Sequence, residues 1–455
     1  MLFINPDYKL WFKYPPMGIL YLIAVLREKK IKSDFIDAYL TKNIEFAIDN
    51  KIQDYDTVGI TATVGQAYSA KKIAEYIREK YPEVRIVWGG PHSTAEYETL
   101  LPKLADIVVL GEGEKQTASI CSNTPLNEIP GIAYFKKNKI IHNPRENYIQ
   151  DLDSIPFPAW DLIDSKQYHS PGRRPLYLMV TERGCPFHCI NCFKDIHGNT
   201  FRTRSVENVI NEITLLKEKY NAREIHFWDD NFTLNPKRAK KICSEIINKK
   251  LNEDLRFALP SGIRADIYDE EMFTLMHKAG FYFLNVGIES ADQEVLNKLK
   301  KDLDISKVKK TVETLCAMKF RVGLLFMMGL PFDTKESLNK TIDFAVSLPA
   351  HHAFISIVTP LSGTPLFEMV KNKMKRKTHY EDSFIGYDIE EERFVNENLP
   401  YEILLQSHHK AYRRFYANPK RIYRIIKTIL KEGFTFNDFL FMLKCGFKIL
   451  STGHR

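Results

Sequence analysis

Glu182-Arg183-Gly184-Cys185-Pro186-Phe187-His188-Cys189-Ile190-Asn191-Cys192 gathers three of the chain's seven cysteines into one short loop, spaced C-x3-C-x2-C. Thiolates are soft donors that suit zinc and iron–sulfur clusters. A structural zinc takes four protein ligands, so three cysteines leave it one short. His188 lies inside the loop and can in principle supply the fourth. Cys121, Cys243, Cys316 and Cys445 are scattered through the chain. Two readings stand at this point. One is a zinc knuckle or a set of unrelated thiols. The other is a four-iron cluster gripped at three corners, with one iron left open for a substrate or cofactor.

Around this loop the sequence alternates between strand-like and helix-like stretches. Strands are predicted over 176–181, 224–227, 256–260, 282–286, 321–328 and 353–358. Helices are predicted over 205–220, 236–249, 270–279, 305–318 and 334–348. Six parallel strands make an incomplete (β/α) barrel, in which functional groups sit on the carboxyl rim of the strands. The cysteine loop follows the first strand. Trp228-Asp229-Asp230-Asn231-Phe232 follows the second, where carboxylates and amides can accept hydrogen bonds from an ammonium group. Asp230 or Asn231 can equally cap the next helix. Arg264, in Ser261-Gly262-Ile263-Arg264-Ala265-Asp266, can take a carboxylate in two parallel bonds or simply pair with Asp266. Glu289 ends an apolar strand in Gly287-Ile288-Glu289-Ser290, a costly place unless it is bonded. Gly329 turns the chain in Met327-Met328-Gly329-Leu330-Pro331. None of these residues stands out as a dedicated general acid or base.

Residues 1–150 read as a first α/β domain, doubly wound and Rossmann-like. Strands are predicted over 2–5, 33–37, 57–61, 85–89 and 107–111, and helices over 17–30, 41–51, 67–80 and 94–103. Pro15-Pro16 sets the start of the first helix. Ligands of such sheets bind at the carboxyl ends of the strands. Those ends carry Thr61-Ala62-Thr63, Gly89-Gly90-Pro91-His92 and Gly111-Glu112-Gly113-Glu114. Glycine there allows close backbone approach, whether for a ligand or for a tight turn. A proline-punctuated linker over 151–174 follows, then the barrel over 175–370. A helical C-terminal region occupies 371–455, where His408-His409 reads as a solvent-facing pair.

At 455 residues, with 44% hydrophobic and 27% charged residues, the chain has the make-up of a soluble protein of several domains. The cysteine usage argues for a reducing compartment, and no basic leader precedes the first strand-like run; a cytoplasmic location is expected. The net charge of +8 is matched by eight basic side chains between His409 and Lys431, a stretch with no acid. That argues against a general nucleic-acid surface. Within it Ile422, Ile425, Ile426 and Ile429 share one helical face. Two uses are open: peripheral contact with the inner face of a membrane, or a helical cap over a substrate cavity.

The cysteine stretch resembles the signature of the radical S-adenosylmethionine (radical SAM) enzymes, with Asn191 where that family usually carries an aromatic residue. The resemblance implies a 4Fe-4S cluster on Cys185, Cys189 and Cys192, with SAM bound to the open iron and cleaved to a 5′-deoxyadenosyl radical. It implies SAM contacts from Phe187, from Asp229 and Asp230 (amino group), Arg264 (carboxylate), Glu289 (ribose) and Gly329 (the turn beneath adenine). The first domain resembles the cobalamin-binding half of cobalamin-dependent members. Thr61-Ala62-Thr63 stands at the family's S-x-L position and Gly89-Gly90 at its paired glycines; Gly111 and Glu112 close the set. The D-x-H-x-x-G motif is absent, because the chain reads Asn5-Pro6-Asp7-Tyr8-Lys9-Leu10. Cobalamin is therefore expected without a histidine from that motif, and an empty, vestigial domain is the alternative. Arg413-Arg414-Phe415-Tyr416-Ala417-Asn418-Pro419 resembles tails of the oxidative-cyclase and lipid-modifying branch. The implied activity is methyl transfer to, or oxidative cyclisation at, an unactivated carbon of a small-molecule or lipid-like substrate. A low-potential donor such as flavodoxin or ferredoxin would feed the cluster. A nucleic-acid-modifying protein using its basic tail is the rival from another class.

Overall fold

A computed structural model describes residues 1–8, 13–168, 173–375 and 392–432, with the backbone alone for 429–432. The first domain is built from β1 (Leu2–Asn5), α1 (Met17–Glu28), β2 (Asp34–Asp37), α2 (Ile44–Lys51), β3 (Thr57–Thr61), α3 (Ala67–Lys80), β4 (Arg85–Gly89), α4 (Pro91–Leu100), β5 (Ile107–Val109) and α5 (Glu114–Cys121). A hairpin, β6 (Ile132–Lys136) and β7 (Lys139–His142), extends the same sheet. The strand order is β2-β1-β3-β4-β5-β6-β7, with β1 to β5 parallel and the hairpin antiparallel. Leu2, Ile4, Val58, Ile60, Ile86 and Trp88 are wholly buried or nearly so, as parallel strands covered on both faces require. The order reverses between β1 and β3, so the crevice for a ligand opens beyond those two strands. Helix α4 begins at Pro91, three residues before the predicted start. Gly90, at φ +97°, makes the sharp turn out of β4 that allows it.

After the linker come β8 (Leu176–Met179), a short antiparallel pair of β9 (Glu182–Arg183) and β10 (Arg202–Thr203), α6 (Val206–Tyr220), β11 (Glu224–Phe227), α7 (Pro236–Asn248), β12 (Arg256–Arg264), α8 (Glu270–Lys278), β13 (Phe281–Glu289), α9 (Gln293–Lys298), α10 (Ile305–Ala317), β14 (Arg321–Met328), α11 (Lys335–Ser347) and β15 (His352–Ile357). The order β8-β11-β12-β13-β14-β15 is wholly parallel, the expected open barrel. Alternation along the strands sorts the residues. Leu284, Val286, Leu324, Phe326 and Met328 pack outward into the core against the helices. Asn285, Gly287, Glu289, Leu325, Met327 and Phe354 are on the concave side. A polar group closes the floor: the Tyr282 hydroxyl and the His226 ring both meet Glu224 at 2.6 Å, and Arg321 stacks over Tyr282 and Phe283.

The chain continues through α12 (Pro365–Val370) to α13 (Tyr401–Tyr416) and α14 (Pro419–Glu432). Helix α13 packs on α11 and along β15. His408, Tyr412 and Tyr416 recur every fourth residue, and so share one face. The backbone N–H of Ile355 donates to the Tyr412 hydroxyl at 3.0 Å, that of Ala353 donates to the Tyr416 hydroxyl at 3.3 Å, and His408 Nε2 lies 2.9 Å from the Ile355 carbonyl. The outer strand's free backbone groups are thus met by side chains. The solvent-facing reading of His408 is corrected accordingly: burial against β15 pushes its pKa down to about 4. Ile422, Tyr423 and Ile426 on α14 are exposed. The apolar positions predicted between 434 and 450, and Arg376 and Lys377 of the basic run after 370, lie outside the described residues.

Candidate functional site

The cysteine loop leaves β8 through Thr181 and is shaped by backbone, not by its sulfurs. Gly184 has φ +84°, and a Cβ there would stand 2.2 Å from the Thr200 carbonyl oxygen, so only glycine fits. Its N–H donates to Asp230 Oδ2 at 2.8 Å. Ile190 N donates to the Leu299 carbonyl at 3.0 Å, Leu366 N to the Ile190 carbonyl at 2.9 Å, and Cys192 N to the Cys189 carbonyl at 3.2 Å. Cys185, Cys189 and Cys192 are free thiols, and His188 is exposed. Burial raises the Cys189 pKa, while the cations of Lys301, Arg264 and Lys194 draw it back toward thiolate. Among the described residues no group of three His, Cys, Asp or Glu is gathered tightly enough for a single ion. The fit to a cluster rests on the donors themselves: three soft sulfurs on one loop, held open and amid positive charge.

The two aspartates after β11 do different jobs. Asp229 is buried. Its Oδ1 accepts from Thr181 N at 2.5 Å and Glu182 N at 3.3 Å, and its Oδ2 accepts from Thr181 Oγ1 at 2.6 Å. The expectation that it meets an ammonium group is corrected: both oxygens hold the base of the cysteine loop. Asp230 is exposed on the rim beside Gly184. Neither caps the following helix, since Asn235 does that for α7. Beside Asp229 lie Glu182 and Arg238, with Glu182 Oε2 and Arg238 Nη1 3.7 Å apart. Burial pushes the Asp229 carboxyl up to about 6 against the pull of its Thr181 bonds. A carboxyl raised in the folded state gains stability as pH falls through its folded value toward the unfolded value near 4. Asp229→Asn keeps the geometry without the charge. It should match or exceed wild-type stability at pH 8 in urea denaturation, and gain less on going to pH 5. Asp229→Ala strands buried N–H groups and should lose about 1–3 kcal/mol. Equal losses in both variants would refute this assignment.

Arg264 is also spoken for. It pairs with Asp266 at 2.7 and 3.0 Å and donates to the Lys301 and Asp302 carbonyls at 2.7 and 2.8 Å. The Asp266 alternative is the one observed, and the expected carboxylate clamp is corrected. Its guanidinium instead lies flat over the Phe187 ring, 3.6 Å from the centroid, so that Phe187 and Arg264 form one surface beside the cysteines. Glu289, at φ +70°, takes the Lys301 ammonium at 2.8 Å. Gly329, at φ +88°, donates its N–H to Asp333 Oδ2 at 2.9 Å. Asn191 Nδ2 reaches the Met327 sulfur at 3.7 Å, which brings the cysteine loop against β14.

In the first domain Thr61, Thr63, Gly89 and Gly90 come together at the strand ends. A Cβ on Gly90 would lie 2.8 Å from Thr61 Oγ1, and Ala62 N donates to the Gly89 carbonyl. Gln66 closes the crevice floor by donating to Asn5 Oδ1 at 3.0 Å and the Pro6 carbonyl at 2.9 Å. Gly111 borders this group, its N–H donating to Thr94 Oγ1 at 3.1 Å while Thr94 N donates to the Gly90 carbonyl; Glu112 is turned to other partners. A Cβ on Gly111 would meet the Asp195 carbonyl oxygen at 3.2 Å. Buried Glu112 accepts from Arg183 at 3.2 Å, from Arg202 at 3.0 and 3.2 Å and from Ile149 N at 2.9 Å, with His197 Nδ1 at 3.3 Å. Arg183 also reaches Glu114 at 2.6 Å. Burial alone would raise the Glu112 pKa; His197, Arg202 and Arg183 outweigh it and hold it at about 2. Glu112 is thus committed to a clamp between the domains, one end of which is the residue before Gly184.

Sequence reasoning missed Lys301, Glu182, Arg183 and Arg238. Arg183 and Glu182 stood inside the quoted motif, but nothing local announces a partner 71 residues upstream. Lys301 sat in a lysine-rich turn that reads as solvated.

Comparison with known proteins matches this layout. The Radical SAM superfamily matches residues 179–345 and the B12 binding domain residues 9–120. An uncharacterised methyltransferase of Pyrococcus horikoshii is 32% identical over 440 residues, 94% of this chain and 91% of that protein. An anaerobic magnesium-protoporphyrin IX monomethyl ester cyclase of Rubrivivax gelatinosus is 26% identical, over 95% of this chain and 83% of its own. The solved structure of the radical SAM methyltransferase TsrM from Kitasatospora setae, with cobalamin and a [4Fe-4S] cluster bound, superposes with a TM-score of 0.73 at 17% identity, covering 92% of this chain and 91% of that one. A cysteine loop on the rim of an open parallel barrel, a first domain matched by the B12 binding domain, and 32% identity to a relative along nearly the whole chain place this protein in the family of cobalamin-binding-domain radical SAM enzymes.

Proposed function

We propose that this protein uses a 4Fe-4S cluster, SAM and cobalamin to modify an unactivated carbon of a small-molecule or lipid-like substrate, by methyl transfer or oxidative cyclisation. The observation that carries the proposal is the clamp: Arg183, next to the cysteine loop, is bonded to Glu112 and Glu114 at the strand end of the other domain. The cysteine loop and the first domain are thereby held in one fixed relation. When bound, the cofactors supply hydrogen-atom abstraction and carbon transfer; the protein binds, orients and excludes water. Cys185, Cys189 and Cys192 hold the cluster. Exposed Asp230 offers an acceptor to the SAM amino group, Glu289 one to its ribose, and Gly329 the turn beneath its adenine, with the Phe187–Arg264 surface alongside. Thr61, Thr63, Gly89 and Gly90 line the cobalamin crevice. On the concave face Phe354 is exposed, and Trp228 on the rim is 40% exposed and meets Tyr14 of the first domain edge-on at 4.8 Å. Apolar groups left open above the site suit an apolar substrate, of the class for which the Rubrivivax relative is named.

A low-potential one-electron donor such as flavodoxin or ferredoxin feeds the cluster. Helix α14 offers Ile422, Tyr423 and Ile426 beside Lys420 and Lys427, a combination suited to an anionic membrane surface. Among the described residues no helix is long and apolar enough to cross a membrane. The nucleic-acid reading loses support, because Arg421 is buried on the Ala350 and Leu348 carbonyls and Arg424 bonds the Pro349 carbonyl.

The test is anaerobic reconstitution with iron, sulfide and hydroxocobalamin, followed by gel filtration. Corrinoid absorption bands should travel with the protein. A preparation that cleaves SAM yet carries no corrinoid would overturn the cobalamin part and leave the vestigial alternative.

A further inference from the structure

Lys301 lies in the turn between α9 and α10, flanked by Lys300 and Asp302 at φ +52° and +51°. Side chains other than glycine and asparagine seldom adopt such angles unless neighbours enforce them. Here the neighbours are functional. Leu299, two residues before, takes the N–H of Ile190 from the cysteine loop at 3.0 Å. Arg264 donates to the Lys301 and Asp302 carbonyls. The turn is fastened between the cysteine loop and the Phe187–Arg264 surface, and it delivers the Lys301 side chain into the protein. Lys301 is 7% exposed, its ammonium 2.8 Å from Glu289 Oε1 and 3.4 Å from where a Cβ on Gly287 would stand. Ile190, bonded to Leu299, is the neighbour of Cys189 in the chain, so the Lys301 turn is fixed against the cysteine loop.

A lysine there is expensive, since burying a charge costs free energy unless it is well paired. Leu299 and Ile190 close by belong to one apolar cluster; a methionine would serve packing better. The charge must do something that packing does not. Reducing an iron–sulfur cluster adds one negative charge to a site already carrying thiolates. A fixed cation beside it stabilises the reduced form and raises the reduction potential.

We propose that Lys301 is a positioning residue for the iron–sulfur site: its buried ammonium, held by Glu289 in a turn that Ile190 and Arg264 tie to the cysteine loop, keeps the cluster at a higher reduction potential than the loop alone would give. The proposal rests on the reading of that loop as a cluster site. Its test uses the full chain, reconstituted anaerobically and titrated with dithionite in the absence of SAM, with the one-electron reduced cluster followed by electron paramagnetic resonance. Lys301→Met should lower the midpoint potential by at least 59 mV, a tenfold change in the reduced-to-oxidised ratio of a one-electron couple. Lys301→Arg should stay within that margin. Glu289→Gln, which removes the countercharge and keeps the cation, should move the midpoint the opposite way. A role confined to packing would shift Met and Gln variants together, or neither, and either result overturns the proposal. Should Lys301→Met load no iron, Glu289→Gln and Lys301→Arg carry the test: an unmoved or lowered Glu289→Gln midpoint overturns it. A wild-type chain that loads no cluster at all would instead overturn the reading of the loop.

Discussion

Replacing Cys185, Cys189 and Cys192 together with alanine abolishes iron binding and reduces 5′-deoxyadenosine formation from SAM to that of a protein-free mixture. The fold should survive, because the loop's shape does not depend on its sulfurs. Gly184 is held by Asp230, Ile190 by Leu299 and Leu366, and Lys194 Nζ donates to the Cys185 carbonyl at 2.8 Å. All of these bonds use backbone atoms or side chains that the substitution leaves in place. Circular dichroism and thermal unfolding should therefore match wild type while iron analysis reads blank. Undiminished 5′-deoxyadenosine in the triple variant would sink the assignment of the site.

The other large effect is expected at the clamp. Arg183→Ala leaves Glu112 and Glu114 buried without the cation that serves both. Breaking a buried ion pair from one side costs about 3–5 kcal/mol. Arg202 and His197 soften the loss at Glu112 but not at Glu114. Unfolding in urea should show the drop, with Trp88 in the core of the first sheet and Trp160, which the linker buries in the core of the radical domain, as reporters. Arg183→Lys, which keeps one bond of the fork, should lose less. Losses below about 1 kcal/mol for Arg183→Ala would mean that the two domains are held by other contacts. The pH sign is fixed by Glu112. A carboxyl held near 2 in the folded state contributes its full stability above the unfolded value near 4.3 and loses it as pH falls toward 2. The clamp is thus intact at neutral pH and fails only in strong acid.

The cysteine loop, the six parallel strands and the doubly wound first sheet were legible because each rests on a local pattern: soft ligands at fixed spacing, apolar runs, glycine at strand ends. What failed to show were partnerships across sequence. Gly111-Glu112 looks like Gly89-Gly90 from within its own strand end, and only the arginines folded over it from the radical domain set it apart. Asp229 and Asp230 are adjacent and alike in letters; the alternation of a strand end turns one inward and leaves the other on the rim. Lys301 had no signal at all, since two left-handed residues flanking it depend on bonds from Ile190 and Arg264. The stripe His408, Tyr412, Tyr416 did carry a signal in its four-residue period. Reading His408 with its neighbour His409 concealed it.

That stripe has a consequence in time. Sixty-three residues separate Ala353 from Tyr416, which meets its backbone. A ribosome adding ~5–20 residues per second takes roughly 3–13 s to cross that gap. Throughout it, a nascent barrel that has already laid down its last strand offers a bare hydrogen-bonding margin to any other extended chain. The helix that ends this exposure is made only after that interval, so for those seconds the barrel must keep its last strand from pairing elsewhere.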